Sequence, residues 1–258
     1  MTLDLNTITT DWPYPTEGVC ARVVTAEDGR SFLQMRIELG VLQMFPDGRP
    51  DGDRYRTSEC ALHFVQKAMN RGRTLDEQDW SELKRELQQF NYRRVAFTSL
   101  AEEALEKADT VDAQAHLLRC VRDIDHCIQV IKAMEEGRSD GAGPQALLIP
   151  TLIFNRSKQL AQLRMIEGRQ EEAIEEAEAG AKALERFFSE QSDDGGDEEV
   201  NPGVQQLRAL ADQLRKAPDP ESELRGQLEQ AVEREDFEAA ARLRDQLRGI
   251  EKPEDGTK

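Results

Sequence analysis

Apolar and polar residues alternate in steps of two through the N-terminal part of the chain and recur at helical spacing after it. Val19 to Val24 is a short β-branched run. Ala26, Glu27, Asp28, Gly29 and Arg30 form a hairpin turn, because Asp-Gly tolerates positive φ. From Phe32 to Leu39 the alternation puts Leu33, Met35, Ile37 and Leu39 on one face and Gln34, Arg36 and Glu38 on the other. Gly40 reads as a bend or bulge. Val41 to Phe45 is a further strand, and 46–52, rich in Pro and Gly, is a loop. Residues 1–56 therefore predict a small antiparallel sheet that needs a helix over its apolar face. Trp12, Pro13, Tyr14 and Pro15 form an extended lead lying on this domain.

The helical period predicts a body over 57–188. One helix covers 58–71 and stops at Arg71-Gly72. The next covers about 76–107, with Trp80, Leu83, Leu87, Phe90, Val95, Phe97 and Leu100 inward. Residues 111–136 carry Ala113, Leu117, Cys120, Ile124, Cys127, Ile131 and Met134 in steps of four and three, a continuous packing stripe. After a loop over 137–144, helices over 147–167 and 171–188 form a pair. Ala161, Gly168, Ala173, Ile174 and Gly180 stand where two helices approach closely, and in this the pair resembles a tetratricopeptide repeat. Arg164 departs from that pattern, no proline closes the unit, and an array would need three or more units. The resemblance implies repeat-like helix pairs within a bundle. Residues 189–200 are acidic, with no large apolar side chain before Val200, and predict a solvated linker. Residues 201–217 predict an amphipathic helix with Val204, Leu207, Ala211 and Leu214 on one face. That face is a candidate surface for the segment that follows.

Residues 218–252 spell two short amphipathic helices joined by a polar turn. Asp219 and Pro220 suit a helix start. Leu224, Leu228, Ala231 and Val232 fall on one face. Arg234, Glu235 and Asp236 break the pattern, and Asp236 can cap a second helix with the stripe Phe237, Ala240, Ala241, Leu243, Leu247 and Ile250. Glu221 with Arg225 and Glu238 with Arg242 are pairs four apart, each contributing a few tenths of a kcal/mol. Such a hairpin falls below the roughly forty residues that usually fold without a staple or partner. Its apolar face must be completed by the rest of the chain or by another protein.

Glu235, Asp236, Phe237, Ala240, Ala241, Leu243, Arg244 and Asp245 are together similar to the UVR motif, in register throughout. That motif occurs in the B and C subunits of the bacterial excision nuclease, in Clp-type unfoldases and in the activator of the protein-arginine kinase. The resemblance implies a hairpin used for protein–protein contact, often against another such hairpin. It implies that Phe237, at the turn, is the contact anchor. The implied interface is Leu224, Leu228, Val232, Phe237, Ala240, Leu243, Arg244 and Leu247. Arg242, Arg244 and Arg248 would form rim ion pairs, individually weak. The remainder of the chain resembles bacterial UVR-domain-containing proteins, which implies no activity.

Charge narrows the partners. The 258 residues carry a formal net charge of −17. Phosphate contacts need clustered Lys and Arg, so neither a broad nucleic-acid surface nor an anionic membrane is expected. Hydrophobic content of 38% still allows a core if helices supply it. Cys20, Cys60, Cys120 and Cys127 have no C-x-x-C spacing and read as reduced thiols of a cytosolic protein. The N-terminus lacks a basic region followed by an apolar run, so no secretory signal is expected. No run of eighteen apolar residues exists to span a membrane.

Candidate chemistry is sparse. His116, Cys120 and Cys127 lie on one predicted helix at a spacing that metal binding allows. The packing explanation outweighs it, because both cysteines sit in the apolar stripe as small hydrophobes and no fourth ligand is identifiable. His63 and His126 have no recognisable partners. The loop from Asp47 to Asp53 resembles a calcium loop only superficially. Arg49 and Ser58 stand where oxygen ligands belong, and a turn is expected instead. There is no nucleotide loop, nucleophile elbow or zinc-protease motif. No catalytic residue, cofactor or metal is expected.

The sequence thus predicts an α+β chain, mostly α, with a small N-terminal antiparallel sheet, a helical body and a C-terminal antiparallel helical hairpin. Its expected function is non-enzymatic docking of a protein partner through the hairpin. By resemblance the partner is another UVR hairpin, a Clp-type unfoldase or an excision-nuclease subunit, with self-association as a further form. The rivals are a repair accessory touching DNA, an enzyme or small-ligand binder with a polar pocket between sheet and helices, and a hairpin that folds back to complete its own core.

Overall fold

The computed structural model describes residues 6–15, 18–191, 201–217, 220–234 and 236–251. Most of the acidic linker, the proposed cap Asp219, Glu235, and the side chains of Glu221, Arg248 and Ile250 lie outside the described residues. The chain forms two compact units, Met1–Leu152 and Ile153–Lys258.

In the first unit a short helix α1 (Asn6–Thr9) precedes β1 (Cys20–Thr25), β2 (Ser31–Ile37) and β3 (Gly40–Met44), an antiparallel sheet in the order β1-β2-β3. The β1–β2 turn is the one the sequence predicts. Gly29 has φ +81 and its N–H donates to Ala26 O at 2.9 Å. The inner face of β2 differs from the simple alternation. Leu33 and Met35 are buried, but Ile37 is the last strand residue and Leu39 is 91% exposed. Ile37 pairs with Gly40, so Glu38 and Leu39 are the two loop residues of a tight hairpin. Gly40 opens β3 and is no bulge. The outer face is tied together by polar side chains in register. Arg22 Nε donates to Gln34 Oε1 at 2.9 Å, and Gln34 Nε2 donates to Gln43 Oε1 at 2.9 Å. Trp12 of the lead is buried beside this face, with the Arg22 guanidinium 4.0 Å from its ring centroid.

The sheet is followed by α2 (Ala61–Met69), α3 (Glu77–Glu106), α4 (Thr110–Gly137) and a 3-10 helix (Gly143–Leu148). Asp76 starts α3 with a reciprocal capping box, its side chain accepting from Asp79 N–H and Asp79's from Asp76 N–H. Asp109 caps α4 at Asp112 N–H. The α4 stripe is buried as its spacing predicts, from Ala113 to Met134. On α3, Trp80, Leu83, Leu87, Phe90, Phe97 and Leu100 are buried and Val95 is half-buried. These faces and the inner side of the sheet share one apolar core. Each such Leu or Phe contributes about 1.5–3 kcal/mol.

The second unit runs through α5 (Ile149–Ile166), which begins just before it, α6 (Gln170–Gln191), α7 (Pro202–Lys216), α8 (Pro220–Glu233) and α9 (Phe237–Glu251). Gly168, at φ +73, turns the chain between α5 and α6. Gly180 lets α6 approach α5 so closely that a Cβ there would collide with Ser157. Asn201 accepts from Gly203 N–H at 2.8 Å and Pro202 takes the first position of α7. The apolar stripe of α7 is taken up by α6. Val204 and Leu207 meet Ala181 and Leu184, and Ala211 meets Ile174 and Ala177. The face expected to serve the hairpin is therefore already occupied. Helices α8 and α9 pack against one another.

Candidate functional site

The hairpin turn is built by Asp236. Its N–H donates to Ala231 O at 2.9 Å, closing α8, and its carboxylate accepts from Ala239 N–H at 3.0 Å, opening α9. This places the predicted interface residues in three groups. Ala240 and Leu247 are buried, together with Ala231. Leu224, Leu228 and Leu243 are half-buried. Arg244, Val232 at 53% and Phe237 at 72% are exposed. Phe237 stands in the first turn of α9 and Val232 near the end of α8, so the two exposed apolar side chains flank the turn. Arg242 reaches Glu238 at 3.2 Å on the open surface, a pair of little energetic weight.

A second constellation, unforeseen in the sequence, lies in the unit Met1–Leu152. Arg93 is fully buried and pairs with Asp123 through two bonds, Nε to Oδ2 at 2.6 Å and Nη2 to Oδ1 at 2.7 Å. Its remaining nitrogen, Nη1, donates to Phe45 O at 2.9 Å and Gly48 O at 2.8 Å, which pins the 46–52 loop to α3. Arg122 holds Asp47 at 2.6 Å, and Arg49 and Arg85 hold Asp51 at 3.0 Å each. Asp47 and Asp51 are thus engaged in ion pairs, in keeping with a turn.

Glu86, also fully buried, accepts from Ala61 N–H at 2.6 Å and Leu62 N–H at 3.1 Å. It caps α2 from α3, since the N-cap residue Cys60 makes no side-chain cap. His126 Nε2 lies 2.8 Å from Glu86 Oε1, and its ring stacks on Phe90 at 3.7 Å. Burial alone would raise the Glu86 pKa. The His126 bond and the two backbone N–H groups outweigh it and hold the carboxyl below its ordinary value. Glu86 is therefore ionised at neutral pH, and Nε2 carries the proton it donates. Burial, then the Glu86 charge, pushes the Cys60 thiol up to about 11. Beside this cluster is a cavity of about 560 Å³, lined among others by Cys60, His63, Phe90, Arg93, Leu118 and His126.

Metal-ligand residues converge elsewhere than the sequence spacing indicates. Cys120 and Cys127 are sealed in the α4 stripe, their thiols pushed to about 11 and about 12 by burial, and His116 lies against Phe97. Among the described residues, Cys60, Glu86 and His126 are the group whose ligand atoms lie within 4.8 Å of one another. His126, which showed no partner in the sequence, has two. The available signal was position: Glu86 is three residues after Leu83 and Arg93 three after Phe90, both charged groups on the inward stripe of α3.

No helix among the described residues is long and apolar enough to cross a membrane. No curated protein and no solved structure matches the chain. The C-terminal hairpin does have a family: residues 222–252 match the family model described as the UvrB/uvrC motif, and the helical pair α8–α9 is a UVR motif.

Proposed function

We propose that this protein is a non-enzymatic adaptor that docks a protein partner through its UVR hairpin by helix-to-helix apolar packing. UVR motifs are protein-interaction modules, which supports a protein partner in general. The observation that carries the proposal is Phe237, 72% exposed on a hairpin too small to sustain itself. The occupied stripe of α7 supports it further, because the nearest candidate cover inside the chain is spent on α6. Partners of matching chemistry are a second UVR hairpin, including one on another copy of this chain, and UVR-bearing Clp-type unfoldases or excision-nuclease subunits. The protein works in the cytosol, where its four free cysteines stay reduced. The test is binding of the full chain to such partners with and without Phe237→Ala. Unchanged binding of every partner rejects the anchor.

Direct DNA contact is the weaker reading of a repair-type motif, because a net charge of −17 opposes phosphate binding. A gel shift at low salt separates the two. A small-ligand reading has one observation behind it: the cavity beside Glu86, which is lined by α2, α3, α4 and the loop after β3 and not by the sheet.

A further inference from the structure

We propose that Cys60, Glu86 and His126 form a zinc site at the edge of the cavity in the unit Met1–Leu152, with three protein ligands and a fourth position turned to the cavity. The three ligand atoms lie within 4.8 Å of one another. Tetrahedral zinc, with bonds of about 2.0–2.3 Å, needs donor atoms roughly 3.2–3.7 Å apart. His126 Nε2 and Glu86 Oε1, at 2.8 Å, need to part by only a few tenths of an ångström. A thiolate, an imidazole and a carboxylate favour Zn²⁺ over the hard cations Mg²⁺ and Ca²⁺. The two anionic ligands balance the charge of the dication.

The ligands are held in place before any ion arrives. Cys60 sits at the start of α2, Glu86 on α3 and His126 on α4, so three elements converge on one point. Phe90 fixes the imidazole plane, and the two α2 N–H groups orient the carboxylate. Capping α2 requires only the carboxylate. It does not account for a buried thiol within 4.8 Å of the carboxylate and an imidazole at 2.8 Å from it. Cys60 and His126 also line the cavity, so a water or small donor molecule can complete the coordination.

Proton balance is simple. The Cys60 S–H bond breaks, its proton leaves to solvent, and the sulfur's electron pair binds the ion. On His126 the proton moves from Nε2 to Nδ1, which frees the Nε2 lone pair. Binding a dication overcomes the high thiol pKa that burial imposes.

The test uses the full chain, stripped of metal by chelation and titrated with Co²⁺ and then Zn²⁺. One equivalent of Co²⁺ is expected to give a thiolate-to-cobalt charge-transfer band and the visible bands of a tetrahedral ion, both erased by Zn²⁺. Cys60→Ser should abolish the charge-transfer band, while Cys20→Ser, at a half-buried thiol on β1, should keep it. His126→Gln should weaken binding by more than the roughly 10–100-fold that loss of an outer partner costs. Absence of the band in the wild type overturns the proposal, as does a band that survives Cys60→Ser. If Cys60→Ser fails to fold by circular dichroism, His126→Gln decides: unchanged Co²⁺ affinity overturns the site.

Discussion

Arg93 and Asp123 face each other from α3 and α4 with both side chains fully buried, joined by two bonds of 2.6 and 2.7 Å. The pair closes the α3–α4 seam and, through Phe45 O and Gly48 O, anchors the loop after β3. Asp123→Ala leaves the guanidinium buried without its counter-charge. It should destabilise the protein by about 3–5 kcal/mol in urea unfolding. The double variant Arg93→Met/Asp123→Leu should recover part of that loss. The two carbonyls that Arg93 satisfies would still lack their donor.

Glu86 makes stability depend on acid. Its folded pKa lies below the ordinary 4.5, because bonds from His126 and the α2 N–H groups outweigh burial. A depressed carboxyl contributes stability that is fully present above the unfolded pKa and is lost as pH falls through the folded value. Denaturant midpoints measured downward from pH 6 should therefore decline below about pH 4.5. Glu86→Gln should flatten that decline while lowering stability at neutral pH.

The hairpin should respond to local helix chemistry. Asp236→Ala removes the cap on Ala239 N–H and should cost α9 about 1 kcal/mol. Gly226 lies inside α8, and a Cβ there meets no atom within 4 Å. Gly226→Ala should stabilise α8 by roughly 0.5–1 kcal/mol. Amide exchange over 220–251 should slow for Gly226→Ala and quicken for Asp236→Ala.

Gly180→Ala should act through space. Its Cβ would meet Ser157 and crowd Leu207, so a loss of about 1–3 kcal/mol is expected by thermal unfolding. Combining it with Ser157→Gly should restore part of the loss. An additive result would contradict the close approach of α5 and α6.

Helix spacing made α3, α4 and α7 readable, since apolar steps of three and four specify an inward face whatever covers it. The cover itself was not readable: the α7 stripe, expected to serve the hairpin, packs against α6 instead. Alternation misplaced Leu39 because a two-residue turn continues the in–out rhythm of the strand it ends. The buried polar cluster was missed because Glu86, Arg93 and Asp123 count as polar in any periodicity, although all three occupy inward positions. Convergence of Cys60 with Glu86 and His126 joins segments 26 and 66 residues apart in the chain, a relation that depends on tertiary packing.

The most direct measurement is isothermal titration of the full chain into a UVR-bearing partner, comparing wild type, Phe237→Ala and Leu39→Ala, a control at a still more exposed apolar side chain. Phe237→Ala should weaken binding by about 2 kcal/mol or more, as an anchor residue does, with thermal stability unchanged. Leu39→Ala should bind like the wild type. Equal affinity for Phe237→Ala and wild type would contradict docking through the exposed turn of the hairpin.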